Sequence, residues 1–106
     1  MNSSTLSLLG FAAKAGKLSY GTHATEFAVE SCKANLVVIA SDISPKSIKE
    51  IKFKADKKKI PVVILKNTDK QTLSARIGKN CGIVAVNDSG FAKAVIKEEI
   101  AHDGEI

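Results

Sequence analysis

Gly21-Thr22-His23 is the stretch of this chain best equipped for chemistry, and that chemistry is recognition of phosphate. A glycine followed by short polar residues at a helix start presents unpaired backbone N–H groups and partial positive charge, with no bulky side chain in the way. Plain helix capping is the structural alternative for Gly21 and Thr22, and the two roles are compatible.

Other candidate constellations fail on inspection. Gly10 to Lys17 imitates a nucleotide-binding loop, but five residues separate its glycines where that motif has four, and Leu18 stands where a magnesium-binding Ser or Thr is needed. The segment also lies inside a helical pattern rather than after a strand. No G-x-G-x-x-G, G-x-S-x-G or His-Glu-x-x-His run occurs. The two histidines, His23 and His102, fall at a helix start and in the tail, which gives neither a nucleophile–base pair nor a metal site. Asp42 ends an apolar strand, where α/β folds often keep functional carboxylates, but a turn-forming role ahead of Ser44-Pro45 explains it as well and is preferred. Cys32 and Cys81 lie far apart without metal-ligand spacing and read as reduced thiols packed as small hydrophobes. No catalytic residue, metal or cofactor is expected, and the protein is not expected to be an enzyme.

The elements that would position Gly21–His23 are legible from periodicity. Ser3 or Ser4 can cap a first helix with Leu6, Leu9 and Ala13 inward and Gly16 closing it. Leu18 to Tyr20 forms a short edge strand. Thr22 to about Lys33 forms a second helix, with Ala24, Phe27, Ala28 and Cys32 as its apolar stripe. Residues 36–40 are continuous enough in aliphatic character for a strand buried on both faces. Ser44 caps a third helix with Pro45 at its first position, Ile48, Ile51 and Ala55 inward, and Lys57-Lys58-Lys59 at its end. A strand over 62–65 follows Pro61, then a helix from Asn67 or Thr68 to Gly78 with Leu73 and Ile77 inward. Ile83 to Val86 is a strand, and Asp88 or Ser89 caps a last helix carrying Phe91, Val95 and Ala94. Strands alternating with helices predict an α/β fold: a three-layer α/β/α sandwich around a mixed, mainly parallel four-stranded sheet.

The 106 residues suit one domain, 1–106, with a frayed acidic tail over 100–106. The longest apolar run, Leu36 to Ala40, is too short to cross a bilayer, and no signal peptide is visible, so a soluble cytoplasmic protein with no membrane partner is expected. The net charge of +5 is uneven: residues 1–66 hold eleven lysines against five acids, and residues 67–106 hold five basic and six acidic groups. Such a basic half attracts polyanions, although lysines also simply solvate helix faces.

The residues also resemble a known family. Leu8-Leu9-Gly10-Phe11-Ala12, Ala15-Gly16-Lys17-Leu18, Gly21-Thr22 and Ala34 through Asp42 occur in an order similar to that of the small bacterial YlxQ-like proteins. Ile60-Pro61-Val62, Leu73 to Lys79, Val84-Ala85-Val86 and Gly90 to Lys93 continue the match over roughly residues 5 to 97. These proteins belong to the kink-turn-binding ribosomal-protein family that includes the archaeal protein "L-seven-Ae". The resemblance implies the same sandwich, no catalysis, and binding of kink-turn RNA, with the ribosome as a candidate partner. It places Gly21, Thr22 and His23 at the RNA-facing helix start, and Lys79, Asn80, Gly82 and Ile83 in a loop against bulged nucleotides. Lys14 and Lys17 flank that helix start in sequence and are candidate phosphate contacts.

The family's readers follow Gly-Thr-Asn-Glu-x-x-Lys, whereas this chain has Gly21-Thr22-His23-Ala24-x-x-Phe27. His23 lacks the bidentate edge of an amide, Ala24 cannot bond to a base, and Phe27 is expected in the core. These departures leave a second reading open, a protein-interaction module that kept the fold and lost specific RNA readout. A nucleotide-binding enzyme rests on fold class alone. Lys79 and Asn80 are either a simple turn after Gly78 or a nucleotide-facing surface. Phe53 falls off the buried stripe of its helix and is expected to be a lone exposed aromatic.

Overall fold

The computed structural model describes residues 3–103. In chain order the elements are α1 (Ser3–Lys14), β1 (Leu18–Tyr20), α2 (Thr22–Glu30), β2 (Leu36–Ile39), α3 (Pro45–Lys57), β3 (Val62–Ile64), α4 (Lys70–Ile77), β4 (Ile83–Val86) and α5 (Ser89–Asp103). The expected three-layer sandwich is present. The sheet is mixed, in the order β1-β4-β2-β3. β1, β2 and β3 share one direction and β4 opposes them, so β2–β3 is the parallel pair while β4 lies antiparallel to both its neighbours, β1 and β2. Alternation of helix and strand fixes the layers but not the direction of a strand that inserts between two earlier ones.

Side-chain alternation along the central strands explains their unbroken apolar sequence. Leu36, Val38, Val84 and Val86 face a core completed by Leu6, Leu9, Leu73 and Val95 from α1, α4 and α5. Val37, Ile39, Ile83 and Ala85 point the other way, into a core with Ala28, Val29, Ile51 and Ala55 from α2 and α3. Both faces are covered, so no position on either strand needs a polar residue. Each fully buried aliphatic side chain contributes roughly 1.5–3 kcal/mol. The first and last helices pack on one another, and the Thr5 hydroxyl donates to the Glu99 carboxylate at 2.6 Å.

Three helices end in one backbone motif. Lys17 N–H donates to Ala12 O, Lys33 N–H to Ala28 O and Ile60 N–H to Ala55 O, each doubling the chain back on the last turn. Gly16 supplies the left-handed residue in the first case, but Cys32 (φ 60°) and Lys59 (φ 57°) do so in the others. Without a glycine to mark it, the end of α2 comes at Glu30 rather than near Lys33.

Four local expectations are corrected or refined. The first helix begins at Ser3 and so takes in Ser4. The apolar stripe of α2 is Thr25, Ala28 and Val29, not Ala24, Phe27 and Cys32, because the turn out of β1 fixes the phase of the helix over the sheet. Asp69, rather than Asn67 or Thr68, caps α4, accepting from Thr72 N–H at 2.8 Å. Thr68 is held elsewhere: it is buried, and its carbonyl accepts from Ser41 N–H at 2.8 Å at the end of β2. The last helix runs through Asp103, past the expected tail start at residue 100, and residues 104–106 of that tail lie outside the described residues.

Candidate nucleic-acid interface

The strand directions bring three helix starts to one end of the sheet. β1, β2 and β3 all finish there, where Ile39 pairs with Ile64 on one side and with Ile83 on the other. Helices α2, α3 and α4 each follow one of these strands, and their first residues line a cleft of ≈360 Å³. Gly21 and Thr22 contribute from α2, Ser44 and Ser47 from α3, Lys70 from α4, and residues 80–83 close it from the loop ahead of β4.

Two of these helix starts are satisfied internally. Ser44 Oγ accepts from Ser47 N–H at 3.3 Å, and Asp69 Oδ1 accepts from Thr72 N–H. Asp42 Oδ1 accepts from Lys70 N–H at 2.8 Å, so the carboxylate at the end of β2 serves the turn and the start of α4 together. The third start is open. Gly21 precedes α2 with φ 90° and ψ 171°, a conformation that strains any L side chain, and it makes no side-chain cap. The first N–H groups of α2 therefore face outward with the positive end of the helix behind them.

The loop 78–82 is fastened beside this open end. Gly21 N–H donates to Ile83 O at 2.8 Å, and Ala40 N–H donates to Gly82 O at 2.8 Å. Ser74 bridges the loop to α4, its Oγ accepting from Cys81 N–H and donating to Cys81 O, both at 3.0 Å. Gly82 is buried against Ile43, and a Cβ there would lie 2.5 Å from Ile43 Cδ1. Burial pushes the Cys81 thiol up, which keeps it neutral at pH 7. Burial first, and then proximity to Cys81, pushes the Tyr20 phenol up as well. Lys79 places its ammonium 5.8 Å from the centre of the Tyr20 ring.

The expected site residues thus divide. Gly21, Thr22, Asn80, Gly82 and Ile83 come together on the cleft, with Lys79 beside it on Tyr20 and the His23 side chain fully exposed at the helix start. Lys17 does not join them. Its carbonyl accepts from Asn87 N–H at the opposite end of β1, four extended residues or about 13 Å along the strand from Gly21. Lys14 sits apart too, in the groove between α1 and α4 near Gly78. Phe27, expected in the core, is 72% exposed on the outer surface of α2, and Ala24 is exposed with it. Asp42, Ser44, Ser47 and Lys70 on the cleft, and Tyr20 beside Lys79, escaped sequence reasoning as parts of one site. Their shared signal is that each borders the C-terminal end of a strand, a signal usable only once the strand order is known.

The family model described as "Ribosomal protein L7Ae/L30e/S12e/Gadd45 family" matches residues 3–96. Among solved structures, a protein with unknown function from Bacillus halodurans C is similar at 32% identity and a TM-score of 0.83, over 89% of this chain and 94% of that one. The Giardia lamblia 15.5kD RNA binding protein shares the fold at 22% identity and a TM-score of 0.76, over 90% of this chain and 84% of that one.

Proposed function

The chain belongs to the ribosomal protein L7Ae/L30e/S12e/Gadd45 family, and from that premise we propose that it is a non-enzymatic cytoplasmic protein that binds structured RNA of the kink-turn type, with ribosomal RNA as the leading source. The observation that carries this reading is the open start of α2, fastened to the loop 78–82 by the Gly21–Ile83 hydrogen bond. A phosphate approaching Gly21 meets unpaired N–H groups without a competing side chain. A regular RNA duplex hides its major groove from side chains, whereas a sharp kink opens it to a helix start and leaves bulged bases for a neighbouring loop. Asn80 and the backbone at Gly82 and Ile83 supply that loop, and Lys79 adds charge. The exposure of His23 and Phe27 further favours an interface on this face: the ring of Phe27 offers a stacking surface where the family pattern carries a cation.

The deciding measurement is a titration of labelled kink-turn RNA against the same RNA with its sheared G·A pairs replaced. Preference for the intact motif, with affinity falling steeply as salt rises, is expected. Equal affinity for both RNAs would sink the kink-turn reading. The exposed Phe27 also favours one alternative, a protein-interaction module of the same fold. Co-purification of a protein partner that survives nuclease treatment, together with no RNA preference, would favour that module.

A further inference from the structure

We propose a second RNA-contacting surface, the groove between α1 and α4, which takes a single-stranded segment leaving the site at the start of α2. This rests on the RNA-binding reading above and extends it to a face that reading does not use. Two adjoining depressions of ≈260 and ≈220 Å³ share Gly10, Lys14 and Arg76. Phe11 lines one of them and is 59% exposed, and Gly78 lines the other. Gly78 is also where α4 gives way to the loop 78–82, whose other end, Gly82, lines the cleft at the start of α2, so this loop links the groove to the proposed interface.

Charge and chemistry both fit a nucleic-acid strand. Neither α1 nor α4 contains an acidic residue. Arg76 is the only arginine in a chain with fifteen lysines, and it stands beside an exposed aromatic ring. A planar guanidinium forks onto phosphate oxygens in a way an ammonium cannot. Complementing the carbonyl ends of their helices accounts for a positive charge at Lys14 and Arg76, but not for an exposed phenylalanine lining the same depression. An aromatic face with flanking cations is how single strands are held without sequence readout. A duplex offers no unstacked base to such a ring, so the occupant is single-stranded. From Ser7 to Lys14 the groove follows α1 for about 10 Å, enough for one stacked base with its neighbouring phosphates.

The test titrates the full chain with three labelled RNAs: a blunt kink-turn, the same RNA with a single-stranded oligouridine overhang of about ten nucleotides, and that oligouridine alone. The overhang is expected to strengthen binding, and Phe11→Ala to remove about tenfold of that gain, with Phe11→Tyr restoring it. Arg76→Ala should lower the salt slope for the overhang RNA by about 0.7, one single-strand phosphate contact. Both substitutions should leave blunt-RNA affinity unchanged, and the exposure of both side chains means that they should leave the melting temperature unchanged too. If blunt RNA is not bound but oligouridine is, in a manner lost on Phe11→Ala, the groove stands while the kink-turn reading falls. If the overhang adds nothing, or wild type and both variants gain equally from it, the groove proposal is overturned.

Discussion

The Asp42 carboxylate accepts a hydrogen bond from the Lys70 amide at 2.8 Å across twenty-eight residues of chain, joining the end of β2 to the start of α4. That bond shapes one wall of the cleft at the start of α2 and satisfies an amide that the first turn of α4 leaves free. Asp42→Ala should lower stability by about 1 kcal/mol, the usual cost of a lost cap, and Asp42→Asn, which keeps an acceptor, by less. Urea denaturation of the two variants beside wild type checks the order. Equal losses would show that the hydrogen bond contributes nothing.

Thr25 is fully buried on the inner face of α2, and its hydroxyl has no hydrogen-bond partner among the described residues. Replacing it with the isosteric Val removes an unsatisfied polar group at unchanged volume. Thr25→Val should therefore stabilise the fold by about 1–2 kcal/mol. A raised denaturation midpoint with an unchanged slope is the expected result, and a lowered midpoint would mean that the hydroxyl is satisfied in solution.

Lys59 holds a left-handed conformation at the end of α3, a geometry that costs a side-chain-bearing residue about 1–2 kcal/mol. Part of the gain from a glycine there is offset by its freer unfolded chain, so Lys59→Gly should stabilise by about 0.5–1 kcal/mol. Lys58→Gly, one position earlier at φ −100°, should destabilise and serves as the control.

Hydrogen bonds from Thr72, first its side chain and then its backbone, hold the Asp69 carboxyl below the usual carboxylate value. A depressed folded value means that the cap is fully effective above the ordinary carboxylate range and is lost as pH falls through that folded value. The gap in melting temperature between wild type and Asp69→Ala should hold steady near neutrality and shrink below about pH 4. A gap that persists unchanged into strong acid would contradict the assignment.

Phe27 is exposed, so Phe27→Ala should change stability by less than about 0.5 kcal/mol, against the roughly 3–5 kcal/mol expected of a core phenylalanine. Phe27→Lys restores the cation of the family pattern at this position. It should tighten kink-turn binding and steepen its salt dependence by about one duplex phosphate contact, near 0.9 in slope. A variant that binds no better would place the RNA off this face of α2.

Sequence carried the layers and missed the phases. Val37, Val38 and Ile39 announce a strand covered on both faces because β-branched runs have few other uses, and Ser44-Pro45 marks a helix start by local chemistry alone. The inward face of α2 was not legible: Phe27 outweighs Thr25 in hydrophobicity, and only the sheet beneath decides which of them turns inward. The start of α4 reads from sequence as Asn67 or Thr68, but a contact from Ser41 claims Thr68 and the cap falls to Asp69. In the site, Gly21 and the loop 78–82 were visible as local signals. The separation of Lys17 from them was not, since four residues of extended chain carry a sequence neighbour to the far end of a strand.

The strand order has a consequence for how this chain emerges during synthesis. β4 is made last of the strands, yet it occupies the place between β1 and β2 and, among the described residues, is the sole strand partner of β1. Until Ile83–Val86 arrives, β1 has no sheet to join, and β2 and β3 form a parallel pair with one flank bare. The Gly21–Ile83 bond closes with that same step. The sheet and the fastening of its proposed binding face are therefore completed together, by a late non-local insertion.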